Sequence, residues 1–533
     1  MRAFLYNGIE EELMRKRSCI FIFLFIVLLS LSACQNKEEA IKEEITEETS
    51  VTEEAIESGI PSVYIRLDEE EGLSKINGSE DHTYEIAGSF DLIVPEGYED
   101  LESVKDLKLE YMRGRGNSTW LADKKPYKIK FEKKQDLLNS GFNKHYVLLA
   151  NAYDRSFIKN RLTSYIAEKM GMEYVCDGVN VDLYVDEEYL GNYLLCEQVR
   201  IGEGRIELDE LKDADTAPEI YGGYLLSFSP WAEDEEENIF VTSRGVSFYN
   251  DTPGFVGEDK DAGTTRQKEY IRDYIQRCED AIFEQSDVYY GDLLDMISTA
   301  DYWLIQEFSE NSDGFKTPST YCYKKRFETD GSEGKLYLGP LWDFDRAFGD
   351  TGFGDSDTAY FNHVRHDWIN ELRDKEEFCD LLKERWKLLD QVLADVCKDG
   401  GILDRWKKEN EASFIKDQER WKDFYAMNEG EELSSQNAIF EDLKDWIGKR
   451  RKWINEDLEE IGKILAKITI VYPDGEEKRV KMAYGSFLYE EIEKYVPEGS
   501  VLEGCYDDKE QRIIENASIH QDETIHLILQ KAE

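Results

Sequence analysis

The chain has 533 residues, of which 41% are hydrophobic and 12% aromatic, so it can bury a large core and form more than one domain. Its formal net charge of −50 at pH 7 argues against nucleic acid as a partner, because phosphate backbones are bound by clustered Lys and Arg side chains. The acidity is typical of a soluble secreted protein, and it favours basic polypeptides or metal-bound compounds as partners.

Residues 1–33 have the features of a secretory signal peptide. A basic MRKR stretch precedes the apolar run Cys19–Leu31, which is shorter than the roughly 20 residues that a membrane-spanning helix needs. The sequence LSAC that follows ends at Cys34 and resembles the bacterial lipobox, in which the cysteine is lipidated and begins the mature protein. This resemblance implies an extracytoplasmic lipoprotein anchored to the bacterial cell membrane through Cys34. A plain signal peptide with an incidental cysteine is the alternative.

Residues 34–58 separate this signal from the globular sequence. They are rich in Glu and poor in aromatic residues, so they cannot bury enough apolar surface to fold alone. We predict an acidic, disordered tether.

The cysteines and histidines give no metal signature. The seven cysteines after Cys34 are scattered without a C-x-x-C spacing, which argues against a disulfide framework or a zinc site. His363 and His366 form an isolated H-x-x-H pair, for which surface or packing positions are the simplest interpretation.

Strand-like segments dominate the first half of the globular sequence, which begins at IPSVYIRL near residue 60. One helix is predicted over residues 155–170, and DEEYLGN, between Val185 and Tyr193, predicts a hairpin turn. The other predicted strands cover residues 107–112, 127–132, 145–151, 179–185, 193–199, 223–228, 320–326 and 336–342.

Helical periodicity dominates the second half. Three apolar stripes begin at Tyr270, Phe378 and Phe440, and each recurs at helical spacing, which is typical of core-facing helices. After Ala466 the pattern changes to a strand, a Pro-Asp-Gly turn and a second strand. Residues 466–533 resemble the small β-rich repeat modules of Gram-positive surface proteins, which implies a display or binding module.

The sequence GPLWDFDRAFGD places Asp343 and Asp345 two residues apart. If this segment is a strand, the two carboxylates point the same way and could bind one Mg²⁺, a cation that proteins hold through one or two carboxylates plus substrate phosphates. D-x-D alone occurs often by chance.

Basic residues concentrate in one region of this acidic chain. Arg113 and Arg115 alternate with glycines, and Lys128 and Lys130 share one face of a predicted strand. Glycine lets the backbone approach an anion, and Arg and Lys supply charge for a polyphosphate. Ion pairs with the abundant Glu residues are the alternative.

A third segment places Asn311 and Asp313 in a loop between a predicted helix and a predicted strand. The order of helix, Asp-bearing loop, strand, W-D-F-D and Phe-Gly resembles the catalytic half of protein kinases. In those enzymes a loop Asp accepts the proton of the substrate hydroxyl and a later Asp holds Mg²⁺.

Five ordered segments, RGRGNSTW with KKPYKIKF, NAYDRSFIKNRL, YLGNYLLCEQV, NSDG with YCYKK, and GPLWDFDRAFG, together resemble the CotH family of spore-coat-protein kinases over roughly residues 60–455. The resemblance implies an α+β fold with an atypical, secreted-type, two-lobed kinase domain, which we place at residues 59–465. It also implies phosphorylation of Ser and Thr in surface or coat-type proteins, with ATP and Mg²⁺ or Mn²⁺ as cofactors.

The resemblance also implies residue roles. Asp313 would be the catalytic carboxylate, Asp343 the metal ligand with Asp345 in support, and Glu197 would lie near the nucleotide at the hinge between lobes. The phosphates would face Arg113, Arg115 and either Lys128 or Lys130. The helix behind this site carries two further polar residues, for which direct contact and packing are both open: Arg155 and Asn160.

One departure from the family pattern affects activity. Many relatives have an Asn where this chain has Ser319-Thr320, so the protein could bind a single ion, or be a pseudokinase. A non-catalytic surface-binding lipoprotein is therefore the main alternative. A glycosidase with a carboxylate pair fits less well, because it needs no Lys/Arg cluster.

Overall fold

The computed structural model combines helices with several β-sheets, which confirms the predicted mixed α+β class. The predicted signal peptide, Cys34, the tether before Ser58 and His363 lie outside the described residues. Within the described part of the chain, no helix is both long and apolar enough to cross a membrane. The structure describes residues 58–209, 211, 216–229, 238–255, 263–311, 313–315, 319–349, 366–429, 433–463, 465–483, 486–509, 511–514, 517, 519 and 522–531.

A closed β-barrel, called the barrel below, forms the first part of the described chain. Its strands are β1 (Ser62–Leu67), β2 (Ile86–Ile93), β3 (Val104–Gly114), β4 (Tyr127–Gln135), β5 (Asn143–Leu149), β6 (Gly178–Val185) and β7 (Glu188–Glu197). They follow the order β1-β2-β3-β4-β5-β7-β6, and a parallel pairing of β1 with β6 closes the circle. Helix α1 (Gly72–Asn77) lies between β1 and β2, and α2 (Lys159–Met170) lies between β5 and β6.

The alternation of side chains along the strands decides which face of the barrel carries charge. Ile129 and Phe131 of β4 belong to the apolar interior, while Lys128 and Lys130, which alternate with them, point to the outer face. The sequence prediction that the two lysines share one face is therefore confirmed.

The second part of the chain, called the helical part below, covers residues 216–463. A five-stranded sheet runs in the order β12-β11-β8-β10-β9. These strands are β8 (Tyr224–Phe228), β9 (Ile239–Val241), β10 (Ser247–Asn250), β11 (Tyr321–Lys324) and β12 (Leu336–Leu338). The helices are α3 (Thr265–Ile282), α4 (Met296–Phe308), α5 (Asp367–Arg373), α6 (Glu376–Cys397), α7 (Ile402–Glu409), α8 (Glu411–Arg420), α9 (Lys422–Glu429) and α10 (Gln436–Asp457).

The helix stripes predicted from periodicity form the core of the helical part. Residues such as Ile275, Trp386 and Ile447 are buried in one apolar cluster together with α2 of the preceding part. Local sequence sets the beginnings of several helices. Thr264 caps α3 through a reciprocal capping box with Gln267, which satisfies backbone N–H groups that the first turn leaves without partners.

Residues 465–531 form a separate four-stranded sheet with its own apolar core. Strands β13 (Leu465–Val471) and β14 (Glu477–Ala483) form the predicted hairpin, followed by α11 (Leu488–Glu493), β15 (Ser500–Tyr506) and β16 (Glu523–Lys531). The order is β14-β13-β16-β15, with β13 parallel to β16. Arg373 of α5 donates hydrogen bonds to the carbonyls of Ile461 and Lys463, so the segment entering this sheet is tied to the helical part.

Two predictions about local structure are wrong. The strand predicted over residues 336–342 ends at Leu338, so Asp343 and Asp345 lie in a loop and not on a strand. The segment DEEYLGN is mostly strand, because β7 already begins at Glu188 and only the preceding two residues form the turn. In the first case the apolar run continues beyond the end of the strand, and in the second the polar run continues beyond the turn.

A buried polar network fastens α8 of the helical part to the barrel. The Lys124 ammonium lies 2.5 Å from the Asp417 carboxylate, and both side chains are fully buried. The same carboxylate accepts hydrogen bonds from the backbone N–H of Asn192 (2.8 Å) and the hydroxyl of Tyr425 (2.7 Å). The charge of Asp417 is thus balanced and hydrogen-bonded, which a buried ion pair requires.

Replacing Lys124 with Met should lower the free energy of unfolding by about 3–5 kcal/mol, because the buried Asp417 carboxylate loses its counter-charge. Chemical denaturation of the two proteins measures this difference. Lys134→Met is the matched control, since Lys134 and Glu203 form an exposed pair at 3.3 Å. The control should cost less than about 1 kcal/mol. Similar losses in both variants would contradict the role given to the buried pair.

Candidate functional site

A cleft of about 590 Å³ lies between the barrel and the helical part. The barrel contributes the loop after β3 and the segment after β5, and the helical part contributes the loop before β11 and the segment after β12. Residues that are far apart in sequence therefore meet in one place. The lining residues that the sequence singled out as site residues are Arg115, Asp313, Asp343 and Asp345.

Asp343 is held in an unusual backbone conformation. Its φ of 69° lies in the left-handed region, which is uncommon for a residue other than glycine. The Asn311 side-chain amide donates to the backbone carbonyl of Asp343 (3.2 Å), and the Ser319 hydroxyl donates to its carboxylate (2.7 Å). Ser319, which stands near the position of the family's Asn, thus orients the carboxylate of Asp343.

Asp345 is nearly buried, and it lies close to Asp343. Burial and the charge of Asp343 raise the pKa of Asp345 to about 8, while Lys159 acts in the opposite direction. A buried carboxylate whose ionised form is disfavoured by a second carboxylate is a natural place for a cation, because a bound positive charge favours its ionisation.

Asp313 is positioned through the same asparagine. The side-chain oxygen of Asn311 accepts a hydrogen bond from the Asp313 backbone N–H (3.3 Å), while its amide nitrogen contacts Asp343 as described above. Asn311 therefore bridges the two segments that carry the predicted catalytic carboxylate and the predicted metal ligand.

A buried arginine supports this loop from behind. Arg450 of α10 is fully buried and donates to the backbone carbonyl (2.9 Å) and the carboxylate (3.0 Å) of Glu307. It also lies 3.5 Å from the carboxylate of Glu310, the residue before Asn311. The position of the loop thus depends on a charge supplied by the last helix of the helical part.

The two candidate lysines, Lys128 and Lys130, have different surroundings. Lys130 forms an ion pair with Glu110 at 2.7 Å. Among the described residues, no carboxylate forms an ion pair with Lys128, and burial together with Arg113 and Arg200 lowers the pKa of Lys128 to about 8. Crowded positive charge at Lys128 is what a site for a polyanion provides.

The two candidate arginines also have different surroundings. Arg113 lies opposite Lys128 in the β3–β4 pairing, and its Nε is 3.5 Å from the Glu85 carboxylate. Arg115 lines the cleft and stacks its guanidinium over the Trp342 ring, with 5.6 Å to the ring centre. The alternative of ion pairs with Glu therefore applies to Arg113 and Lys130.

Glu197 does not lie in the cleft. Its neighbour Cys196 pairs with Val147, which in turn pairs with Lys128, so Glu197 points to the opposite face of the barrel sheet. Its carboxylate contacts Arg205 and Ser140, and burial raises its pKa to about 7. The structure gives Glu197 a buried ion pair, and a nucleotide contact by this residue stays a prediction.

The two polar residues near α2, Asn160 and Arg155, also make different contacts. Asn160 lines the cleft, and its side-chain oxygen accepts a hydrogen bond from the backbone N–H of Phe344 (2.8 Å), so it holds the loop between the two aspartates. Arg155 instead stacks on Tyr425, 4.0 Å from the ring centre. His366 packs against Phe228 and Phe315, in agreement with the packing role expected for it.

The carboxylates of the cleft could bind one divalent cation together with further ligands, such as waters or substrate phosphates. The described residues contain no group of three or more His, Cys, Asp or Glu side chains that could hold a metal. Mg²⁺ is commonly bound by one or two carboxylates, with waters and substrate phosphates as the remaining ligands. Asp343 and Asp345 supply that number, and Arg115 brings positive charge to the same cleft.

Sequence reasoning missed several residues that shape this site: Lys124, Asn151, Arg200, Asp417 and Arg450. All but Asn151 act through a partner that is distant in the chain, and a single sequence contains no signal for such a pair. The sequence pointed to Asn151 only indirectly, because this residue begins NAYDRSFIKNRL, one of the segments that resemble the CotH family.

The model of a protein family described as CotH kinase protein matches residues 112–454. These residues include the strands β4 to β7 of the barrel, the helical part up to α10 and all residues of the cleft named above. No curated protein matches the chain.

Proposed function

Because the chain belongs to the CotH kinase protein family, we propose that it transfers the γ-phosphoryl group of ATP to Ser or Thr side chains of proteins, with the help of a divalent cation. The observation that carries this proposal is the single cleft that brings together Arg115, Asp313, Asp343 and Asp345. Phosphoryl transfer depends mainly on positioning and on neutralising phosphate charge, and this cleft has groups for both tasks.

The two aspartates after β12 would hold the cation. When bound, a divalent cation neutralises charge on the phosphates as it develops. The chain's own contribution is the fixed orientation of the Asp343 carboxylate, which the Ser319 hydroxyl and the left-handed backbone maintain. Burial of Asp345 keeps water away from the second carboxylate and strengthens its attraction for a cation.

Asp313 would orient the hydroxyl of the protein substrate. Its carboxylate accepts a hydrogen bond from the Ser or Thr hydroxyl and takes the proton as the new P–O bond forms and the bond to ADP breaks. Arg115 and Lys128 would attract the phosphates from the barrel side, because Arg115 lines the cleft and the charge of Arg115 acts on Lys128.

The surroundings of the reaction are also part of the proposal. The lipobox-like LSAC at Cys34 supports a lipid-anchored protein on the outer face of the bacterial membrane, with surface or coat-type proteins as substrates. The net charge of −50 supports a preference for Lys/Arg-rich substrates, since opposite charge accelerates encounter.

Substitution of either catalytic carboxylate tests the activity. Asp313→Asn and Asp343→Asn should each lower autophosphorylation by about 100-fold or more, because one loses the proton acceptor and the other the cation ligand. Labelled ATP with Mg²⁺ or Mn²⁺ measures the incorporated phosphate. Asp100→Asn, an exposed position on the barrel, is the matched control and should keep the wild-type rate. No label on the wild type, without a thermal shift from ATP and metal, would favour a non-catalytic surface protein.

The two lysines of β4 should differ in their effect on nucleotide binding. Lys128→Met should raise the dissociation constant for ATP about tenfold or more, since a charge-assisted contact to phosphate is lost. Lys130→Met should have the smaller effect, because Lys130 already pairs with Glu110. Calorimetric titration with ATP measures both constants. A larger loss in Lys130→Met would show that the pair with Glu110 opens in the complex.

Substrate charge can be tested separately. Ser-containing peptides rich in Lys and Arg should be phosphorylated with a higher kcat/KM than otherwise matched peptides rich in Asp and Glu, and the difference should shrink at high salt. Equal turnover of basic and acidic peptides would contradict the proposed preference.

A further inference from the structure

Asn151 carries a buried acceptor in the cleft for which the described residues offer no donor. The residue follows β5, lines the same cleft as the two aspartates and is only 4% exposed. Its side-chain oxygen forms no hydrogen bond within the described structure. Buried polar atoms without a partner are rare in native proteins, and those in a cleft indicate a group that binds there.

The orientation of the Asn151 amide is fixed by its other end. The amide nitrogen donates to the backbone carbonyl of Phe157 (3.3 Å), a carbonyl that also accepts from Asn180 (2.9 Å). A rotated amide would place its oxygen against that carbonyl, and two acceptors would then face each other. The side-chain oxygen therefore points away from Phe157.

Hydrogen bonds tie the segment that carries Asn151 to the loop of the two aspartates. The Lys159 ammonium donates to the backbone carbonyl of Asp345 (3.3 Å), and the Asn160 oxygen accepts from the N–H of Phe344 (2.8 Å). Asn151 begins a turn in the same segment: its backbone carbonyl accepts a hydrogen bond from the N–H of Asp154 (3.1 Å). The unpartnered oxygen and the two carboxylates are thus parts of one connected unit.

A divalent cation is the occupant that these oxygens fit. Within the described part of the chain, the two carboxylates have no third His, Cys, Asp or Glu to complete a cluster, so neutral oxygens are the further ligands that this part can offer. Amide oxygens of Asn are ordinary ligands of hard cations.

We propose that the side-chain oxygen of Asn151 is a ligand of the divalent cation held by Asp343 and Asp345. The presence of that cation rests on the proposed function. The inference adds one protein ligand, which the barrel contributes. Binding of the cation would then join the barrel to the helical part across the cleft.

Two substitutions at Asn151 separate ligation from packing. Asn151→Gly removes the oxygen and tolerates the residue's φ of 50°, a left-handed value at which Ala would be strained. Asn151→Asp keeps an oxygen in place, but its ionised side chain cannot donate to Phe157. Asn139→Gly is the matched control, since Asn139 has a φ of 54°, is exposed and lies outside the cleft.

The dissociation constant for Mn²⁺ is measured on the full chain by electron paramagnetic resonance of the free ion, with and without a non-hydrolysable ATP analogue. Asn151→Gly should raise this constant about tenfold, within the range seen when groups around a metal are removed. Asn151→Asp should bind Mn²⁺ at least as tightly as the wild type, and Asn139→Gly should match the wild type. Thermal unfolding without cation reports any loss of folding.

The outcomes distinguish the inference from the proposed function. Equal losses in Asn151→Gly and Asn151→Asp would mean that only the hydrogen bond to Phe157 matters and would overturn the inference. Unchanged Mn²⁺ affinity in Asn151→Gly, with weaker binding of the ATP analogue in the absence of metal, would assign the oxygen to the nucleotide instead. A wild type that binds no Mn²⁺ under either condition would overturn the cation site itself.

Discussion

The geometry of the cleft depends on the buried ion pair between Lys124 and Asp417. The two residues are 293 positions apart, yet their side chains meet at 2.5 Å in full burial and share a hydrogen-bond network with the backbone of Asn192. A charge in such a place is tolerated only with its partner, so the barrel and the helical part have one favourable relative position. That position sets the distance between the basic groups of the barrel and the aspartates of the helical part.

The aspartates in turn depend on a loop that is strained and strongly supported. Asp343 adopts a left-handed conformation, and so does Glu310 two residues after the end of α4. Arg450 neutralises the buried carboxylates next to this loop, and Asn311 bridges its two acidic segments. Backbone strain of this kind persists only where the surroundings enforce it, and it is concentrated at functional sites. The strain here lies at Asp343, which is proposed to hold a cation, and at Glu310, three residues before Asp313.

Local patterns predicted much of the fold because their causes are local. Alternation of apolar residues located most of the barrel strands, and helical periodicity located the buried stripes of α3, α6 and α10. The same reasoning failed at the loop of Asp343 and Asp345, where an apolar run continues beyond Leu338 without remaining a strand. Strand β2 was not predicted, since Gly88 and a bulge interrupt its alternation.

The sequence by itself determined the α+β class, the hydrophobic cores and, through ordered motifs, the membership in the CotH kinase protein family. It also identified the acidic residues of the cleft, because residue type carries the chemistry. Only the tertiary structure decided that Lys128 lies among arginines without a carboxylate ion pair in the described part of the chain while Lys130 pairs with Glu110, and that Glu197 points to the other face. Such distinctions depend on contacts between segments that are far apart in the chain, and those contacts exist only after the barrel and the helical part have packed together.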